Sequence, residues 1–132
     1  MLKGIDHIAI AVENTEAALP VWCEMFGLTI RHSEIVNNST VKLTHLSGAG
    51  IDIQLVEPLT EDHPLKAWLK ENGSGLHHIC FSADVDKPII ENVKKAGLTP
   101  NQSEPHQGIM GKWALFLDRK TTDNVIVEIT GE

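Results

Sequence analysis

Gly4-Ile5-Asp6-His7-Ile8-Ala9-Ile10 recurs as Gly75-Leu76-His77-His78-Ile79-Cys80-Phe81, 71 residues further along a chain of 132. Alone, that likeness is within reach of chance. Three more pairings follow in the same order. Phe26-Gly27-Leu28-Thr29 matches Ala96-Gly97-Leu98-Thr99 at 70 residues, Val41–Ser47 matches Lys112–Asp118 at 71, and Ile51–Val56 matches Val125–Thr130 at 74. Four matches in one order at nearly one offset describe a duplicated unit, and a repeat of that size decides the architecture before any single residue does.

Each copy reads as βαβββ. Residues 4–12 alternate apolar and polar and form a strand. Asn14 or Thr15 caps a helix over 15–26, with Ala17, Ala18, Val21, Trp22 and Met25 as its apolar face and Gly27 at its end. Pro20 lies inside that helix at a cost, since it has no N–H and its ring crowds the preceding turn. Strands follow near 28–36, 40–47 and 50–57, with Ser47-Gly48-Ala49-Gly50 as a turn. Residues 59–74 are a linker holding a short helix near 65–70. The second copy has a strand at 76–84, a helix at 86–96 ended by Gly97, and strands near 98–104, 112–118 and 124–131. The expected fold is α+β: two tandem βαβββ repeats, about 1–58 and 75–132, forming one domain whose partly closed sheet surrounds a central cavity.

Composition narrows the function classes. Hydrophobic residues at 42% and charged residues at 22% suit an ordinary globular domain. The chain has no apolar run near the ~18 residues of a membrane span and opens directly on a strand pattern, which reads as soluble and cytoplasmic, with no membrane partner. A net charge of −7 opposes nucleic-acid binding, which needs a basic surface. Cys23 and Cys80 have no CxxC spacing and read as reduced, space-filling residues.

Alternation points to a site. In a strand, every second side chain shares a face. If Ile8, Ile10 and Val12 pack on the helix, His7, Ala9 and Ala11 point inward. By the same rule His78, Cys80 and Ser82 point inward in the second copy, as do Asp52, Gln54 and Val56, and Ile126, Glu128 and Thr130. His7 and His78 hold equivalent positions, and so do Gln54 and Glu128. A pseudo-two-fold relation between the copies would aim all four at one point. Two imidazoles, an amide oxygen and a carboxylate form a mixed N/O set suited to a divalent metal such as Co, Ni, Zn, Mn or Fe, with coordination positions left open for catalysis.

These same residues carry a family resemblance. Asp6-His7-Ile8-Ala9-Ile10, Gly75-Leu76-His77-His78-Ile79-Cys80 and Val127-Glu128-Ile129 resemble the vicinal oxygen chelate (glyoxalase/bleomycin resistance) superfamily. Ile53-Gln54-Leu55-Val56-Glu57-Pro58, the segment from Pro64-Leu65 into His78, and Gly108-Ile109-Met110-Gly111-Lys112 are similar to its methylmalonyl-CoA epimerase branch. The resemblance implies a glyoxalase-like fold, His7, Gln54, His78 and Glu128 as metal ligands, and a metal-dependent isomerase. The reaction it implies is removal of a proton alpha to a thioester carbonyl, with the enolate stabilised by the metal and Glu128 as catalytic base. It also implies an acyl-CoA or glutathione thioester substrate and a homodimer.

The chain departs from the epimerase pattern at two points. Asn38 stands where a second catalytic carboxylate is expected, and an amide takes no proton at neutral pH; Glu34 and His45 are the nearby substitutes. Met110 stands where a histidine is expected. The competing readings are a lactoylglutathione lyase of the glyoxalase I kind, which would use a similar ligand quartet, and a metal-free small-molecule binding or resistance protein. His77 is expected on the face opposite His78, and His32, His63 and His106 in solvated loops. Lys42, Lys112 and Arg119 are cations that could meet a CoA or carboxylate group.

Overall fold

The computed structural model describes residues 2–83 and 89–131, in two compact units. One takes in the chain up to Asp6 together with the chain from His78 on; the other is His7–His77. The division falls inside the first strand, β1 (Leu2–Ala11), and inside β5 (Gly75–Ala83), not at the repeat boundaries read from the sequence. The physical reason is that β1 bonds with both sets of strands. Its early part meets β5, where Ser82 Oγ donates to the Gly4 carbonyl at 3.3 Å, and its later part runs parallel to β4 (Asp52–Pro58) from His7 to Ala11.

In the His7–His77 unit the strand order is β2-β3-β4-β1, with β2 at Thr29–Val36 and β3 at Val41–Ser47. β2, β3 and β4 are antiparallel neighbours, with Glu34 opposite Leu43 and His45 opposite Gln54. One face packs on the helical segment. Ile10, Val12, Leu46 and Leu55 are buried there, with Ala18, Leu19, Trp22, Cys23, Leu28 and Ile53 against them. Ile10, Val12, Ile53 and Leu55 therefore lie toward the helix as alternation predicted.

The helix itself differs from expectation. α1 spans only Thr15–Leu19, capped by Asn14, whose side chain accepts from Ala17 N–H. Pro20–Met25 continues it as a π-helical stretch, with Phe26 N–H reaching the Val21 carbonyl at 3.0 Å. Proline removes one donor and crowds the carbonyl four residues back, so the ladder slips to i→i−5. The buried face becomes Ala18, Leu19, Trp22 and Cys23, while Val21 and Met25 are exposed. α2 (Pro64–Asn72) confirms the short linker helix; Leu65 and Leu69 are its buried residues.

In the other unit the order is β1-β5-β8-β7-β6, with β6 at His106–Gln107, β7 at Trp113–Phe116 and β8 at Val127–Gly131. α3 (Ile89–Lys95) covers one face, burying Ile89 and Val93 with Ala83, Leu115, Leu117, Val127 and Ile129. The expected helix began at 86, so its first residues lie outside the described range. The expected strand at 98–104 does not form. Pro100 makes an isolated bridge to Leu117 and the paired strand is displaced to His106–Gln107, because Pro100 and Pro105 lack the donors a continuous ladder requires. Gly27 and Gly97 end the helical segments at φ 78° and 85°, the left-handed conformation that costs glycine least.

Candidate metal centre

In the His7–His77 unit the face away from the helix carries His7, Ala9 and Ala11 on β1 with Asp52, Gln54 and Val56 on β4. His45 on β3 lies directly opposite Gln54, so it shares that face. His7, His45 and Gln54 are all buried. The His45 ring meets His7 edge-on, at 5.1 Å between centroids. Its two nitrogens face different partners: Nε2 lies 2.8 Å from Gln54 Nε2, and Nδ1 lies 3.0 Å from Asp52 Oδ2. Arg31 Nε donates to the same Asp52 oxygen at 2.9 Å. Burial acts to raise the Asp52 carboxyl, but the bonds and charges of His45 and Arg31 outweigh it and hold the group below its ordinary range.

In the other unit Glu128 on β8 is opposite Cys80 on β5 and Phe116 on β7. His78 and Glu128 are both buried, with His78 Nε2 3.3 Å from Glu128 Oε1. The second carboxylate oxygen, Oε2, lies 3.0 Å from His106 Nε2. His106 is held in turn by Gln102 Oε1, 2.9 Å from its Nδ1, and that same oxygen accepts from Phe116 N–H at 2.9 Å. Phe116 packs edge-on against His78 and stacks on His106, at centroid distances of 5.0 and 5.3 Å. Burial, with the charges of Glu128 and Asp6 nearby, pushes the Cys80 thiol far above its usual range, so it stays protonated and fills space.

Each unit thus brings two of the four expected ligands to one sheet face: His7 and Gln54, and His78 and Glu128. Their chemistry fits a divalent cation. Two donors each about 2.1 Å from one ion, at octahedral to tetrahedral angles, stand about 3.0–3.4 Å apart. The His78–Glu128 separation falls in that interval.

Two of the three histidines expected in solvated loops, His32 and His106, lie on strands, and His63, in the loop before α2, is half-buried. His32 is on β2, 3.3 Å from Glu34 Oε2. His63 caps α2, its Nδ1 accepting from Leu65 N–H at 3.1 Å. His106 is on β6 against Glu128; the displacement of that strand past the prolines is what carries it there. The candidate substrate cations have local partners. Lys112 lies 3.6 Å from Asp6, Lys42 3.5 Å from Glu16, and Arg119 donates to Asn124 Oδ1 at 2.9 Å. Met110 is exposed, with φ 59°.

His45 and His106 did not emerge from the repeat as parts of the site, since neither has a histidine at its equivalent position. For His45 a local signal existed: Val41, Leu43 and His45 alternate, and the Ser47–Gly50 turn sets their register against β4. For His106 no comparable pattern surrounds the residue.

The profile of the Glyoxalase/Bleomycin resistance protein/Dioxygenase superfamily matches residues 6–116. The chain belongs to this superfamily. Among curated proteins, the chain is 31% identical to the mitochondrial methylmalonyl-CoA epimerase of Dictyostelium discoideum, over 95% of this chain and 76% of that protein. It is 30% identical to the uncharacterized protein YqjC of Bacillus subtilis, over 97% and 91% of the two chains. Among solved structures, a Streptomyces coelicolor methylmalonyl-CoA epimerase variant in complex with 2-nitronate-propionyl-CoA superposes with a TM-score of 0.86 at 29% identity, covering 98% and 97% of the chains. A methylmalonyl-CoA epimerase in complex with methylmalonyl-CoA and NH4+ gives 0.86 at 29% identity, over 98% and 94%. The fold of this superfamily member is therefore the glyoxalase-like α+β fold, and epimerases are among its relatives in both sequence and structure.

Proposed function

We propose that this chain is a metal-dependent isomerase that moves a proton on the carbon alpha to the thioester carbonyl of an acyl-CoA, as a methylmalonyl-CoA epimerase does. The observation that carries this reading is the near end-to-end similarity to epimerases, whose solved complexes hold methylmalonyl-CoA or 2-nitronate-propionyl-CoA. The donor set supports it too: His7, Gln54, His78 and Glu128 would hold the cation, one pair from each βαβββ repeat of a single domain. A divalent cation in such a set supplies Lewis-acid stabilisation to charge developing on a carbonyl oxygen.

The rest falls to the side chains. Glu128 takes the alpha proton through Oε2, the oxygen within hydrogen-bond reach of His106 Nε2, which leaves Oε1, beside His78 Nε2, for the cation. Epimerisation returns a proton on the opposite face, which calls for a second group. Asn38 cannot supply it: an amide is no base, and the residue sits exposed at the tip of the β2–β3 hairpin. Both nitrogens of His45 already face Asp52 and Gln54. Glu34 is the better placed alternative, on the same sheet face as His45 and Gln54. The substrate is an acyl-CoA, and the working form a homodimer in the cytoplasm.

Incubating the metal-loaded protein with methylmalonyl-CoA in heavy water tests the reading. Deuterium should enter at the alpha carbon and the stereoisomers should equilibrate; Glu128→Gln should stop both. Glu34→Gln should slow epimerisation more than exchange. A loaded wild-type protein that exchanges no deuterium sinks the acyl-CoA assignment.

A further inference from the structure

We propose that His45 is a positioning residue: it fixes the Gln54 amide so that the carbonyl oxygen, not the NH2 group, is presented to the metal. This rests on the metal reading above and adds the group that makes a neutral amide a dependable ligand.

Hydrogen inventory carries the argument. An ionised carboxylate only accepts, so the Asp52 oxygen beside Arg31 requires a donor from His45 Nδ1, 3.0 Å away. A neutral imidazole has one N–H. Once Nδ1 carries it, Nε2 presents a lone pair. Gln54 Nε2, 2.8 Å from that lone pair, must then donate, which places the NH2 group on the His45 side and turns the carbonyl oxygen away. Only the oxygen of an amide binds a cation, because the nitrogen lone pair is delocalised into the carbonyl.

An isolated glutamine amide can rotate by half a turn with little change of shape and so present the wrong end. Here the choice is made from two residues away, by Arg31 and Asp52 acting through His45. His45 is 1% exposed, so bulk water does not compete for these bonds. Its ring also packs on His7, so one side chain touches both proposed ligands of this unit. Partners of this kind to a metal ligand commonly change metal affinity about 10- to 100-fold.

Two measurements test the proposal. In the metal-free wild-type protein, 15N NMR should find His45 protonated at Nδ1 and bare at Nε2; a proton on Nε2 would overturn the amide assignment. In a double-mutant cycle read by Co2+ binding, His45→Phe should weaken affinity about 10-fold or more, yet have no further effect in a Gln54→Ala background. His45→Gln, which can still offer Gln54 a carbonyl acceptor, should recover part of the loss. Equal losses in both backgrounds would show that His45 does not act through Gln54. A wild-type protein that binds no Co2+ would instead remove the metal reading, while the nitrogen shifts would still decide how the amide is turned.

Discussion

Asn37, Asn38 and Ser39 hold φ values of 53°, 56° and 63°, three left-handed residues in a row at the β2–β3 turn. Asparagine tolerates that conformation better than most residues, whereas a larger side chain is penalised by about 1–2 kcal/mol. Asn38→Val should therefore lower unfolding stability by about 1 kcal/mol or more in urea titration, and Asn38→Gly should not. Asn38→Glu carries part of the same penalty and sets its carboxylate at an exposed tip, so it should not raise epimerisation in a chiral product assay. At this scale the sequence was only partly legible. Alternation placed His7, His78, Gln54 and Glu128 on the faces where they lie, because one buried face specifies strand register. It could not show what each side chain bonds to. The Asp52–His45–Gln54 chain crosses β3 and β4, and His106 reaches Glu128 from a strand that the sequence pattern placed elsewhere.

Among the elements, α2 carries a pH dependence of its own. His63 Nδ1 accepts from Leu65 N–H at the start of the helix, a bond that needs the neutral ring. Burial holds the His63 pKa below its ordinary value, with the charge of Asp62 opposing. A depressed histidine favours the folded state above the unfolded pKa of about 6.5, and its contribution fades as pH falls through the lower folded value. Stability should thus decline from about pH 6.5 downward, and His63→Asn, which caps without titrating, should remove that slope in pH-dependent thermal melts. Asn14→Ala, lacking the cap on α1, should lose about 1 kcal/mol in urea titration. The first helix also shows where periodicity misleads. Its cap and its end at Gly27 were readable, but an α-helical wheel drawn through Pro20 assigns Val21 and Met25 to the core, and the π-helical stretch exposes both. β6 failed for a related reason, since proline moved the pairing.

At the scale of the molecule, the duplicated pattern predicted two similar sheets with a helix on each, and each unit has its own apolar layer. Leu115 and Leu46 are fully buried in their respective layers. Leu115→Ala should cost about 2–5 kcal/mol in chemical denaturation. A cation that binds only the folded protein adds stability by mass action, about 2.7 kcal/mol when its concentration is a hundred times Kd. Adding a chelator such as EDTA should accordingly lower the melting temperature of the loaded wild-type protein and leave that of His78→Ala unchanged. The measurement that bears most directly on the proposed centre is a Co2+ titration of three purified proteins: wild type, His7→Ala and His78→Ala. One equivalent bound per chain by the wild type, and a large loss of affinity in both variants, is the expected result. If either variant still binds one equivalent with wild-type affinity, the two histidines do not share an ion and the proposed centre is wrong.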